Sequence, residues 1–145
     1  MIRNAMLALL ATAMLPVTVA SAQEAPYTEG PATNVSYIRT KPGMFDAYMN
    51  WVATERRALM DGQVKAGVIL GYRIYSVLPR SPQDADVILT VTYKNMAAFD
   101  GLEERVEAVG KTIWATRQKA NEAAIKREDM RTVLGEQMIR ELVLK

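Results

Sequence analysis

The chain contains neither cysteine nor histidine in its 145 residues. Without histidine there is no imidazole to serve as a general base near neutral pH or to ligate zinc, copper or haem iron. Without cysteine there is no thiolate nucleophile, no soft metal ligand and no disulfide. Ser-His-Asp and Cys-His catalysis, structural zinc and histidine-ligated haem are thereby excluded. A marked excess of charge of one sign is also missing, with 18 basic against 16 acidic residues. Such a balance offers no cationic face for phosphates, so nucleic acid is not expected as a partner. The sequence holds no G-x-G-x-x-G or G-x-x-x-x-G-K-[ST] phosphate loop and no D-x-D-x-D-G calcium loop. The expectation is therefore no metal and no cofactor.

What is present begins at the N-terminus. Arg3 opens a short basic start, residues 6–19 are apolar apart from Thr12, Pro16 and Thr18, and Ala20-Ser21-Ala22 supplies small residues before Gln23. This is the pattern of a secretory signal peptide cleaved near Ala22-Gln23, which predicts a periplasmic or secreted product. The apolar run is interrupted by Pro16 and is shorter than the roughly 20 residues of a bilayer-spanning helix, which argues against a permanent membrane anchor. An uncleaved anchor is the alternative reading of the same residues. The sequence thus divides into a leader (1–22), a flexible segment punctuated by Pro26, Gly30 and Pro31 (23–34), and a single folded domain (35–145).

Within that domain, residues 35–40 (VSYIRT) read as a first strand, ended by Lys41-Pro42-Gly43. Over residues 44–63 an amphipathic helix is predicted, with Phe45, Met49, Val52 and Leu59 on its apolar stripe, Tyr48 and Met60 beside it, and Asp46, Asn50, Arg57 and Asp61 opposite. Residues 68–78 are β-branched and aromatic, a second strand. Val87, Leu89, Val91 and Tyr93 alternate with Ile88, Thr90 and Thr92, a third strand antiparallel to the second. Asn95 is placed to cap a helix that begins at Met96. One helix from there to Asp129 would be about 50 Å long, too long for the domain, so a break is expected at Asp100-Gly101, followed by a long helix over 102–127. Residues 138–145 read as a closing strand, with helix as the competing assignment. The order β-α-β-β-α-β is the ferredoxin-like α+β arrangement, with an antiparallel sheet and both helices on one face. That leaves the other face bare, and a second copy of the chain would cover it.

Tyr37 to Thr40, Lys41-Pro42-Gly43, Tyr48, Ala66-Gly67, Gly71-Tyr72, and Tyr93-Lys94-Asn95 with Phe99 together resemble the dimeric α+β barrel superfamily, in a layout most similar to its NIPSNAP-like branch. The resemblance implies a homodimer in which two four-stranded sheets face each other, with a cleft between helices and sheet in each protomer. The superfamily includes antibiotic biosynthesis monooxygenase-like enzymes, haem-degrading and haem-dependent enzymes, isomerases and proteins of unknown activity. The missing histidine sets this chain apart from the haem branch.

Candidate ligand-binding residues are Tyr48, Trp51, Tyr72, Arg73 and Trp114. Trp51 shares a flank with Met44, Tyr48, Glu55 and Ala58, and reads either as the wall of an aromatic cleft or as plain packing. Tyr72 and Arg73 are adjacent on a strand and therefore face opposite ways. Arg73, and likewise Arg39, offers a guanidinium for an anion, or an ion pair across strands or at the dimer seam, for which Glu141 could partner Arg73. Trp114 follows Gly110 by one turn, where packing is the simpler role. Glu103-Glu104 and residues 126–129 read as solvated helix surface. No catalytic residue can be named. The functional reading is an exported homodimer that binds a small molecule or serves as an accessory protein without catalysis. The alternatives are a cofactor-independent monooxygenase or isomerase acting on an aromatic or apolar small molecule, or a subunit that docks a protein partner on its long helix.

Overall fold

Four segments pair into one antiparallel sheet whose strand order is β2-β3-β1-β4, formed by β1 (Tyr27–Thr40), β2 (Gly71–Ser76), β3 (Val87–Tyr93) and β4 (Arg131–Leu144). The computed structural model describes residues 24–145, so the leader and its cleavage position lie outside the described residues. Between the strands run α1 (Phe45–Trp51), a π-helical turn (Val52–Arg56) and α2 (Arg57–Lys65), then a 3-10 turn (Met96–Phe99), α3 (Leu102–Ile113) and α4 (Arg117–Met130). This order and strand arrangement are ferredoxin-like α+β, as the sequence pattern predicts. Among the described residues no helix is long and apolar enough to cross a membrane.

Strand alternation explains where the helices sit. Ile38, Val87, Leu89 and Tyr93 lie on one face of the sheet and are almost wholly enclosed. Tyr48, Trp51 and Val52 pack onto the first three, and Met60 and Val109 onto Tyr93. All helices therefore cover a single face. Across the other face the registers Val35↔Thr90 and Tyr37↔Ile88 continue to Arg73 and Tyr75 on β2, with no helix over them.

Two local signals are realised as written. Asn95 accepts a hydrogen bond from the Ala98 amide at 3.2 Å, and Gly101 breaks the helix in a left-handed conformation at φ 62° that a side chain would strain.

Four expectations are corrected. Residues 27–34 are not a flexible lead-in but the first half of β1, held by the pairs Tyr27↔Leu144, Thr28↔Val143 and Glu29↔Leu142. Gly30-Pro31 occupies a register shift in that ladder, where proline's missing donor is tolerated, so its turn-like chemistry marks a bulge. The closing strand likewise starts at Arg131, seven residues before the predicted 138. The long helix 102–127 is two helices: Trp114 takes an extended conformation and Thr116 caps α4 by accepting from the Lys119 amide at 3.2 Å. Finally, Arg73 cannot reach Glu141 of its own subunit, because β2 and β4 are opposite edges of the sheet.

Gly62 on α2 is required by packing. A Cβ there would sit 2.9 Å from Val109 Cγ1 on α3. Gly62→Ala gains about 1 kcal/mol of helix propensity but overpacks against a stiff β-branched neighbour, at a cost of about 1–3 kcal/mol. The expected net result in urea denaturation is a loss of roughly 1 kcal/mol, and a gain of similar size would show that α2 and α3 can separate freely.

Candidate functional site

The π turn in the first helical layer sets up the site. Its wider winding keeps residues four apart in line, so Tyr48, Val52, Arg56 and Met60 all face inward, where a regular helix would carry the series away from the sheet. Phe45, expected on the apolar stripe, is left exposed, and Arg56 is buried instead. Arg57 and Asp61 face outward as expected and form an exposed ion pair at 3.5 Å.

Between this helical layer, α4 and the sheet lies a cavity of about 200 Å³. Trp51, Leu59 and Met60 line it from one side, Leu89 and Ser36 from the sheet, and Trp114 from the α3–α4 junction. α4 contributes Ala120, Ala123 and Ala124, whose small side chains leave the space open. An apolar cavity of about 150 Å³ accommodates benzene, so this one admits a single ring with a substituent.

The charged part of the lining is three arginines and one carboxylate, Glu55, which is engaged by the Trp51 indole and lies 3.8 Å from Lys126. Arg56, Arg127 and Arg131 all border the cavity. Arg56 is 9% exposed, its guanidinium lies 6.0 Å from the centre of the Tyr72 ring, and among the described residues no hydrogen bond or ion pair reaches it. Burial, and then the neighbouring Arg131 and Arg127 cations, push it below the ordinary arginine value, although Tyr48 and Tyr72 act the other way. It nevertheless remains a cation at any physiological pH. Arg131 donates from Nη1 to the Tyr48 hydroxyl at 3.3 Å and from Nη2 to Glu128 at 2.9 Å, while its buried Nε–H has no acceptor. Arg127 donates to the same Glu128 oxygen at 2.9 Å and lies 5.7 Å from the centre of the Trp51 ring. Partial burial opposes ionisation of Glu128, yet the hydrogen bonds from Arg131 and Arg127 hold its carboxyl below the ordinary value.

Of the five residues singled out from sequence, the fold brings Trp51 and Trp114 to the cavity. Tyr48 is fully buried directly behind it, stacked on Trp51 with ring centres 5.8 Å apart. The Trp51 indole donates to Glu55 at 3.1 Å, and Trp114 folds back against Gly110, where a Cβ would meet its ring at 3.6 Å. Tyr72 is outside the lining. Its hydroxyl donates to Asp61 at 2.7 Å, and burial together with that bond pushes its pKa up. Arg73 projects from the opposite, uncovered face and takes no part in the cleft. Arg39 donates toward the Pro82 and Gln83 carbonyls at 3.5 and 3.4 Å. Sequence reasoning missed Arg56, Arg127 and Arg131. The one readable sign was Arg56, a charge four residues from both Val52 and Met60 in an otherwise apolar series. Among the described residues no cluster of acidic side chains could hold a metal ion.

No family model matches the chain, and no curated protein matches it. Among solved structures it is similar to the crystal structure of HapK from Hahella chejuensis, at 14% identity over 76% of this chain and 91% of that one, with a TM-score of 0.49. It is also similar to the crystal structure of a putative chlorite dismutase, at 17% identity over 78% of this chain, with a TM-score of 0.44. The match covers 44% of that second chain. The ferredoxin-like assignment rests on this chain's own strand order.

Proposed function

We propose that this chain is an exported homodimer of the NIPSNAP-like α+β barrel type that holds a small apolar or aromatic molecule in the cleft between helices and sheet, without catalysis. The observation that carries the reading is the 200 Å³ cavity with two indole walls, kept open by three alanines of α4. Its charged lining is three arginines, which position and neutralise anions but exchange no proton near neutral pH, and Glu55, whose carboxylate is engaged by the Trp51 indole and Lys126. That favours binding over acid-base chemistry.

Dimerisation is supported by the uncovered sheet face, where Tyr37, Tyr75 and Ile88 share neighbouring positions. Beyond the end of β3, residues 27–29 and 142–144 continue as a two-stranded ribbon whose Leu142, Val143 and Leu144 are exposed. Such a ribbon is marginal in water alone, and a second copy would cover both features. Docking of another protein on the long helix has less support: that helix is two helices, α3 and α4, and Val109 of α3 is buried against Met60.

One observation favours a cofactor-independent monooxygenase or isomerase as the second reading. The guanidinium groups of Arg56, Arg127 and Arg131 on the lining are the kind of donors that stabilise a developing oxyanion. Native mass spectrometry of protein purified from the periplasm tests the proposal. The expected species begins at Gln23, has twice the processed mass and retains a small molecule. An unprocessed monomer with an empty cleft would end it, and a released molecule altered by incubation with the protein in air would favour the second reading.

A further inference from the structure

Resting on the reading of the cleft as a ligand site, we propose that its ligand is a small apolar or aromatic molecule bearing a carboxylate, and that Arg56, Arg127 and Arg131 receive that charge. Arg56 carries the argument. A cation removed from water is costly unless an anion or a set of acceptors replaces its hydration. The side chains acting on its charge are Tyr48, Arg131, Tyr72 and Arg127, and no carboxylate is among them. The other charges that border the cavity are two further cations and Glu55, whose carboxylate already accepts from the Trp51 indole at 3.1 Å and faces Lys126 at 3.8 Å. One carboxylate, Glu128, serves both of those through a single oxygen, and the buried Arg131 Nε–H is left with nothing to bind.

The fold does not need this arrangement. Arg56 occupies an inward position between Val52 and Met60, where an aliphatic side chain would complete the packing without desolvating a charge. It is brought there by the π turn, a helix irregularity that is frequent at functional sites. Uncompensated cations converging on a cavity specify the charge of what fills it, and the guanidinium fork matches a carboxylate through paired hydrogen bonds. The remaining walls specify the rest of the ligand. Trp51, Trp114, Leu59 and Met60 suit a ring or short branched chain, not a sugar. Phosphate is a poorer match, because the lining includes neither a glycine-rich turn nor a helix N-terminus, the devices that cradle phosphoryl oxygens.

Isothermal titration of the purified protein with benzoate, phenyl phosphate and neutral benzyl alcohol tests this. Benzyl alcohol is expected to bind weakly, benzoate at least tenfold more tightly, and phenyl phosphate less tightly than benzoate. In Arg56→Met the benzoate advantage should fall by at least tenfold while benzyl alcohol affinity stays within twofold. Thermal unfolding separates this from a structural role: ligand-free Arg56→Met should melt no lower than the parent protein, since an unpaired buried cation has been removed. Equal binding of benzoate and benzyl alcohol would overturn the carboxylate assignment and leave the cleft reading intact, as would tighter binding of phenyl phosphate. Binding of none of the three would overturn both.

Discussion

Replacing Tyr48 by alanine is expected to lower the stability of this protein by about 4 kcal/mol, among the largest losses that truncating a single core side chain produces. Tyr48 is fully enclosed, stacks on Trp51 and belongs to the cluster that joins α1 to Ile38, Val87 and Leu89 of the sheet. Truncating a buried aromatic removes its burial and leaves a cavity, together about 3–5 kcal/mol. The hydroxyl also accepts from Arg131 Nη1, and stranding that donor adds about 1 kcal/mol. Against a total of about 5–15 kcal/mol for a typical domain, the loss is severe. For a domain of this size it corresponds to a fall of roughly 15 °C in Tm. Tyr48→Phe separates the components: it keeps the ring and should cost about 1 kcal/mol. A Tyr48→Ala protein that melted within a few degrees of the parent would show that α1 is not anchored on the sheet through this residue.

The second large effect is expected at the uncovered sheet face. Ile88 and Thr90 lie at the centre of that face on β3, flanked by Tyr37 and Val35 on β1 and by Tyr75 and Arg73 on β2. If two copies close over each other there, lysines at both positions bury unpaired charge at the middle of the contact. Such charges cost about 3–5 kcal/mol, a weakening of more than about 100-fold in the dimer dissociation constant. Sedimentation velocity should then report a dimer for the parent protein and a monomer for Ile88→Lys/Thr90→Lys at the same micromolar concentration. The monomer should also be less stable, because subunit association no longer draws on the folded state. A parent protein that sediments as a monomer, or a double variant that stays dimeric, would remove the sheet face as the seam.

These two expectations differ in how much of them could be read in advance. The alternation of Val87, Leu89, Val91 and Tyr93 with Ile88, Thr90 and Thr92 placed β3 and its two faces correctly, because side-chain alternation is a property of a single strand. Asn95 and Gly101 were legible for the same reason, since caps and helix breaks are made by a residue and its near neighbours. Thr116 carried a signal of the same kind, but the helical spacing of Ile113, Ala120 and Ala124 ran across it and masked the break. Tyr48, expected beside the stripe and not on it, is turned to the core by a feature no periodicity rule contains: the π turn at residues 52–56 rotates the helix and exchanges Phe45 for Arg56.

The pairing of β1 with β4 was beyond local reading. Residues 27–34 and 131–137 are weak strand sequences, one interrupted by Gly30-Pro31 and the other containing Gly135 and Glu136. Each is extended because the other supplies its hydrogen bonds, from the far end of the chain. The cationic cluster has the same origin. Arg127 sits in a run of charges that reads as solvated surface, Arg131 begins a strand, and Arg56 lies far earlier, in the first helical layer.

By itself, the sequence determined the chemical repertoire and the class of fold: no imidazole, no thiol, and an order of strands and helices that closes as a ferredoxin-like sheet. Those follow from composition and from periods of two and about 3.6 residues, which are local quantities. Only the tertiary structure decided that Trp51 and Trp114 share a cavity, that Tyr72 and Arg73 lie outside it, and that three arginines meet there. Which side chains converge depends on helix phase and on long-range strand pairing. Both are set by the packing of the whole chain and leave no mark at the positions concerned.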